Sequence, residues 1–505
     1  MKTRRLALLL LALLTLRAPG IPSEPVAAQE AETELFAARY DRAAQLYSKL
    51  LRDDPAWAPG YYGIVRALIG AHRAPEAYAA AAEGLQHAAE SAEVYAAAGL
   101  AAYRRGDLPK AEAYFRKARQ IDPNYAYALS GLASIYNSVS RFRTGQTLMA
   151  QAYRASPADP LLIAAYAGQL RRGEHIAALE RALSIYDPVT REARRLSAHI
   201  AVDKAAGDRK LEQLGSPYQV YDIELVQIGI APRHSYGVGL RVRLNDKRPV
   251  LLILDTGASG ISISTKAAEK AGLERLGGKS FEVGGIGDYK PQDAFTYLAN
   301  AVAVGDLRFS NFLVEGFKTA KTDDYDGFIG TDVFHRFQVY IDFQKLLLTL
   351  VPNPNGQPLD DEPADASDTV PAGFSRAFRF WHALAVQTSV NQGPQHLFVV
   401  DSGAWGNLID TGLAQGYTKV RRDHGSGLGG LQGPVDEVSR ASRVSLVFAG
   451  FRQDNSDVLA ASLEAMGDGL GVGIAGILGM PVLWQMKLTI DYRNGALRFE
   501  KAGVR

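Results

Sequence analysis

The chain has 505 residues, enough for roughly three domains that each bury a core. Hydrophobic residues make up 47%, charged residues 22%, and the formal net charge is +2. This describes an ordinary globular chain and argues against an electrostatic nucleic-acid binder. The sequence has no cysteine, which excludes disulfides, a thiol nucleophile and a lipid-bearing N-terminal cysteine.

Lys2, Arg4 and Arg5 precede an apolar stretch from Leu6 to Leu16, and Val26-Ala27-Ala28 supplies small residues before Gln29. A helix needs about 20 apolar residues to span a hydrocarbon core, and this stretch is too short. Residues 1–28 are therefore expected to be a secretory signal. The protein is expected to be exported, periplasmic or extracellular, with no stable membrane span.

Residues 32–190 are rich in Ala, Leu, Tyr and Arg at helical spacing. Pro55, Pro123 and Pro157 fall on a 34-residue grid with Ala89 in the vacant slot, and Ala43, Ala77 and Ala111 each stand twelve residues before a grid point. A fixed period of this length marks stacked helical hairpins. In one copy Tyr95, Gly99, Ala111, Phe115, Ala118 and Pro123 resemble the tetratricopeptide (TPR) pattern: small residues let two helices approach, aromatics fill the gap, and proline ends the second helix. The next copy keeps Leu132, Tyr136, Ala152 and Pro157 but carries Gly145 where Ala is expected. A shorter unit passes through Tyr166 and Ala178 to Asp187-Pro188. The resemblance implies an all-α solenoid whose groove takes a protein partner. Packing of the array against the rest of the chain is the other reading.

A connecting helical segment covers 191–216, after which the pattern changes to alternation. Strands are expected over Tyr218 to Ile230, Gly237 to Leu244 and Val250 to Asp255, with a turn at Asn245-Asp246-Lys247. The first β unit spans 217–352. An acidic, proline-rich linker follows at 353–371, and a second β unit covers 372–505, with strands over Phe374 to Val390, a turn at Asn391 to Pro394, and a strand into Asp401.

The two β units repeat one set of motifs. Asp255-Thr256-Gly257-Ala258 ends the apolar run from Val250, and Asp401-Ser402-Gly403-Ala404 ends the run from Leu397. Gly284-Gly285-Ile286-Gly287 follows the first Asp by about thirty residues, and Gly429-Gly430-Leu431-Gln432-Gly433 follows the second at the same remove. Phe328-Ile329-Gly330 corresponds to Ile477-Leu478-Gly479, and Val339 to Phe343 corresponds to Leu488 to Tyr492. Asp342 and Asp491, in this last pair of segments, are expected to serve turns.

These paired motifs resemble the retropepsin-like aspartic proteases, from Tyr218 to the C-terminus. The resemblance implies two all-β barrel lobes forming one bilobal protease, with Asp255 and Asp401 as the catalytic pair. It further implies that Thr256 and Ser402 brace the two turns across the interface, that Gly257 and Gly403 permit the tight backbone, and that Ile329-Gly330 and Leu478-Gly479 pack beneath the Asp loops. Gly284, Gly285, Ile286 and Gly287 would form one flap over a polypeptide substrate, and Gly429, Gly430 and Leu431 another. Two adjacent carboxylates cannot both ionise cheaply, so such a pair shares a proton; aspartic proteases are the standard illustration. One member takes a proton from water while the other polarises the scissile carbonyl.

Two departures stand out. Many two-lobed relatives carry a hydroxyl residue where this chain has Ala258 and Ala404, which removes a donor to the carboxylate anion and predicts activity at mildly acidic to neutral pH. Ser259 has Trp405 as its counterpart, a bulky ring that either fills a subsite or obstructs one. A catalytically inactive scaffold that binds polypeptides is the alternative function, and pairing of like halves between two chains is the alternative geometry. No cofactor is expected. The nine histidines show no spacing such as His-Glu-x-x-His, so no metal is expected. The Gly425 to Gly430 stretch matches a dinucleotide fingerprint but lacks its strand-to-helix context.

Overall fold

The computed structural model describes residues 26–231, 235–283, 292–317, 325–353, 365–423, 425, 428–430, 433–435 and 437–503. The basic and apolar N-terminal stretch, the Gly284 to Gly287 segment, Leu431 and much of the linker lie outside these residues.

Eleven helices come first among the described residues: α1 (Val26–Phe36), α2 (Tyr40–Asp53), α3 (Pro59–Gly70), α4 (Ala74–His87), α5 (Ala92–Arg104), α6 (Leu108–Ile121), α7 (Ala126–Ser138), α8 (Phe142–Ala155), α9 (Pro160–Ala167), α10 (Arg172–Leu183) and α11 (Arg191–Ala206). Val26-Ala27-Ala28 opens α1, and Ala28 is buried. Helix starts follow local chemistry: Ser91, Asp107 and Asp159 each accept a backbone N–H of the first turn, and Pro59 and Pro160 stand where a missing N–H costs nothing. Glycines bring neighbouring helices together. A Cβ at Gly63 would lie 2.3 Å from the Tyr47 ring, and one at Gly131 would lie 2.4 Å from Phe115.

In each of the first four hairpins the turn contains one residue in the left-handed region. Ala38 (φ 59°), His72 (57°), Gly106 (79°) and Ser140 (60°) recur every 34 residues and form a column along one edge of the solenoid. Three of the four meet the second β lobe. His72 pairs with Asp468, which Arg104 also engages. A Cβ at Gly106 would lie 2.5 Å from the Gly473 carbonyl, and one at Gly495 would lie 2.7 Å from Ser140 Oγ. Leu108 is buried with Phe380, Leu397 and Ile474 of that lobe, a burial that contributes on the order of 2 kcal/mol. The described end of the linker docks on the same edge: Ala366 N donates to Ser140 O (3.0 Å), Thr144 Oγ1 to Asp365 (2.6 Å), and Arg141 to Asp368 (2.8 Å).

The solenoid also closes on itself. Asp187 N donates to Ala37 O (3.0 Å) and Arg39 to Asp187 (3.1 Å), joining its last turn to its first. Across its inside, Arg66 and the Tyr127 hydroxyl converge on fully buried Asp159 at 2.9 and 3.0 Å, and Tyr62 stacks on Tyr127 at 4.2 Å.

Each β unit contains a closed ring of six strands. In the first, Ser235–Leu244, Val250–Asp255, Gly327–Gly330, Ile261–Ser264, Leu307–Phe317 and Gln292–Val304 pair in that cyclic order. In the second, Ala383–Val390, Gln395–Val400, Gly476–Leu478, Leu408–Asp410, Phe451–Ala461 and Ser439–Phe448 repeat the same order. Closure removes unpaired edges and leaves an apolar interior. The expected all-α solenoid followed by two all-β barrel lobes is the architecture observed.

A six-stranded antiparallel sheet lies between the barrels. At its centre the duplicated strands Phe337–Asp342 and Met486–Asp491 pair with one another, Tyr340 opposite Thr489. Asp342 accepts from Lys345 N and Asp491 from Asn494 N, both at 3.0 Å, so both acids cap turns. Replacement of Gly106 by Ala combines a left-handed backbone with collision against Gly473. It should destabilise the protein by about 1–3 kcal/mol, read as a lower melting temperature, whereas Ala at Gly416, which faces open space, should not.

Candidate active site

The strand ending at Asp255 is hydrogen-bonded to parallel Gly327–Gly330, with Gly330 opposite Asp255; the strand into Asp401 is likewise paired with Gly476–Leu478, Leu478 opposite Val400. Side chains are excluded under both turns. A Cβ at Gly330 would lie 2.4 Å from the Ala258 carbonyl, and one at Gly479 2.4 Å from that of Gly406 and 2.7 Å from that of Ala404. Each hydrophobic-hydrophobic-Gly segment therefore supports its Asp loop from below, as expected for Ile329-Gly330 and Leu478-Gly479.

The turns lock together through their hydroxyls. Thr256 N donates to Ser402 Oγ (3.0 Å), and Ser402 Oγ donates to Leu254 O (2.7 Å); reciprocally, Ser402 N donates to Thr256 Oγ1 (2.9 Å), and Thr256 Oγ1 donates to Val400 O (2.7 Å). Thr256 is 1% exposed and Ser402 is fully buried. In the structure these bonds join the two β units of a single chain.

The grip places Asp255 and Asp401 face to face. Gly257 N donates to Asp255 Oδ1 (2.7 Å); Gly403 N and Ala404 N donate to Asp401 Oδ1 (2.8 and 2.9 Å). Each glycine also faces the opposite acid: a Cβ at Gly403 would lie 2.4 Å from Asp255 Oδ2, and one at Gly257 2.9 Å from Asp401 Cγ. Ala258 and Ala404 present no hydroxyl. Burial, and then the charge of Asp401, push the Asp255 carboxyl well above the ordinary range; burial also raises Asp401, against the hydrogen bonds that favour its anion. The pair behaves as one acid that retains a proton.

Among the other expected residues, Trp405 is 39% exposed four positions after Asp401. Gly429 and Gly430 pair with Gly433 and Pro434 in a short antiparallel hairpin. The Gly284 to Gly287 segment and Leu431 lie outside the described residues.

Three groups near the pair have no counterpart in the sequence motifs. His382, in the turn between Phe378–Phe380 and Ala383–Val390, bonds to the Gly257 backbone and feels both Asp332 and Asp401; burial lowers its pKa. Asp332 accepts from Gly260 N (3.0 Å) and Ser259 Oγ (3.2 Å), tying down the loop after the first motif. In the second lobe the equivalent tie is Asn407, which accepts from Gly479 N (3.0 Å). Asp332 stands two residues after Gly330 and Asn407 six after Asp401, different places in the repeated unit, so aligning the two halves does not reveal them.

Residues 240–333 match the aspartyl protease family model, and residues 92–125 match the tetratricopeptide repeat model. Tetratricopeptide repeats are thus joined in one chain to an aspartic-protease fold. A TPR repeat-containing protein of Pseudomonas aeruginosa is 27% identical over 147 residues, 29% of this chain; the chain spans about a quarter (25%) of that relative's length. Among solved structures, an aspartic proteinase from Irpex lacteus aligns with 56% of this chain and 97% of its own at 13% identity and a TM-score of 0.35. The APC/C hetero-tetramer Cut9-Hcn1 aligns with 36% of this chain and 43% of its own, at 16% identity and a TM-score of 0.29. MamA aligns with 31% of this chain and 93% of its own, at 18% identity and a TM-score of 0.21.

Thr256→Val strands the Ser402 N–H and the Val400 carbonyl in a dry interface, which should cost about 1–3 kcal/mol for each group; Thr256→Ser should retain most of the stability, and denaturant unfolding measures the difference. The raised carboxyls carry a second consequence. A proton bound more tightly in the folded state stabilises the protein below the unfolded carboxyl value, near ~3.9, and that stabilisation is lost as pH rises through the raised folded value. Asp255→Asn, which removes the charge that repels Asp401, should therefore melt higher than the parent at neutral pH, with the gap narrowing as pH falls.

Proposed function

We propose that this protein is an exported aspartic endopeptidase in which the Asp255/Asp401 pair activates a water against a peptide carbonyl. One observation carries the reading: two partly buried carboxylates on equivalent strand-end turns, each turned toward the glycine of the other. Their shared proton gives one acid and one base in the same place, the combination that peptide hydrolysis by water requires. The roles belong to the pair, since the proton is common to both. The paired backbone N–H donors hold the carboxylates in place, and His382 and Asp332 position the loop around Gly257 to Gly260.

The substrate is proposed to be an extended polypeptide lying across the interface, with Gly429-Gly430 and the Gly284 to Gly287 segment as flaps and Trp405 at the edge of a subsite. Export is proposed from the N-terminal sequence alone. For the repeats, the packing of Arg66, Tyr62, Tyr127 and Asp159 on the inside of the array, and of the turn column on the second lobe, supports bracing of the protease fold over capture of a peptide in the groove. Trp405, exposed so close to Asp401, also favours a second reading: a scaffold that binds polypeptide without cleaving it.

Incubation of the purified protein with an unfolded protein separates the two. Asp255→Asn or Asp401→Asn should lower cleavage about 10²–10⁴-fold; cleavage that survives either change overturns the dyad, and binding without cleavage in the parent favours the scaffold. Raised carboxyl values keep the pair singly protonated further toward neutrality, so the rate should peak at mildly acidic to neutral pH. A maximum below about 3, under the ordinary carboxyl value, contradicts this.

A further inference from the structure

Away from the protease cleft, His175 on α10 meets His199 and Asp203 on α11. His199 and Asp203 are four residues apart and share one helix face, and one ligand atom from each of the three residues lies within 4.8 Å of the others. Asp203 Oδ2 is 3.2 Å from His175 Nε2 and 3.4 Å from His199 Nε2. Ligands held about 2.0–2.2 Å from a tetrahedral zinc ion stand about 3.3–3.6 Å apart, so the second distance matches an edge of such a tetrahedron and the first falls just short of one.

The hydrogen bonding of His175 points the same way. Its Nδ1 lies 2.8 Å from the Ala167 carbonyl, an oxygen that can only accept, so Nδ1 carries a proton. A neutral ring then turns the Nε2 lone pair toward a carboxylate oxygen. Nε2 and the carboxylate oxygen, 3.2 Å apart, are thus both placed to face one cation. A backbone carbonyl that holds the far nitrogen of a histidine is also the usual outer support of a metal ligand. The neighbouring cation does not compete, because Lys204 is engaged by Glu180 at 2.5 Å. His175 and Asp203 are each 20% exposed and His199 60%, which leaves an open side for water as a fourth ligand.

We propose that His175, His199 and Asp203 form a zinc site that staples α10 to α11. Its position gives it a purpose. On either side of Asp203, α11 packs Val202 and Ala206 against Leu276 and Leu298 of the first protease lobe, and Arg209 reaches Glu274 at 3.1 Å. The staple would stiffen the joint between the repeats and that lobe. In a chain without cysteine, histidine and carboxylate are the ligands left for zinc. The inference is independent of whether the Asp pair is catalytic.

The test uses untagged, chelator-stripped full-length protein at pH about 8. Calorimetric titration with Zn²⁺ should find one saturable equivalent, Co²⁺ should give the visible bands of a tetrahedral site, and metal should raise the melting temperature. His199→Gln, at a largely exposed position, should weaken binding at least tenfold while leaving the metal-free melting temperature unchanged, and Asp203→Asn should do the same to binding. Absence of stoichiometric binding, or binding that His199→Gln leaves intact, overturns the site.

Discussion

Four hydrogen bonds between Thr256, Ser402 and the strand carbonyls of Leu254 and Val400 hold the two lobes in register. Each hydroxyl accepts from the opposite backbone and donates to an opposite carbonyl, so both turns are satisfied only when both are present. Because the bonds are buried, breaking one leaves a polar group without water. The positions of Asp255 and Asp401 follow from this constraint, since each acid is the residue just before a bonded hydroxyl. Further out, the Tyr492 hydroxyl of the second lobe donates to Thr331 of the first at 2.8 Å, and the central strands of the interlobe sheet continue the same pseudo-symmetry.

Around that grip the chain excludes bulk and water in a graded way. Glycine is required at 257 and 403 because each faces the other lobe's carboxylate, and at 330 and 479 because the supporting strands run directly beneath the loops. The resulting burial raises the carboxyls of the pair, and the donors that remain are backbone N–H groups. The two lobes differ in what ties the loop below the acid: a half-buried Asp332 in the first, Asn407 in the second. Each lobe brings a further titratable group near the pair, Asp332 from the first and His382 from the second.

The helical repeats take part in this architecture as a frame. A solenoid offers two surfaces, and here the inside is filled by stacked tyrosines and the Arg66–Asp159 pair, while the edge formed by Ala38, His72, Gly106 and Ser140 is turned largely to the second lobe. Little in the sequence announces this edge. The 34-residue period was legible because Pro and Ala recur at positions where packing between helices restricts the choice. The turn residues share a left-handed backbone but not a side-chain type, and three of them meet different groups: Asp468 at His72, the Gly473 carbonyl at Gly106, and Gly495 with the linker at Ser140. The same holds for His175, which is remote in sequence from His199 and Asp203 and joins them only when α10 folds back along α11.

The doubled Asp turns, the glycines that follow them and the hydrophobic-hydrophobic-Gly segments were all present in the linear sequence, because each rule that selects them is local: a strand end, a tight turn, a close backbone approach. Duplication of the unit was legible for the same reason. Pairing of Phe337–Asp342 with Met486–Asp491, docking of the repeats on the second lobe, and the placement of His382 and Asp332 beside the acids were decided only by the tertiary structure. Those contacts join residues far apart in the chain, and the choice among partners is made by shape and desolvation, which no short stretch of sequence contains.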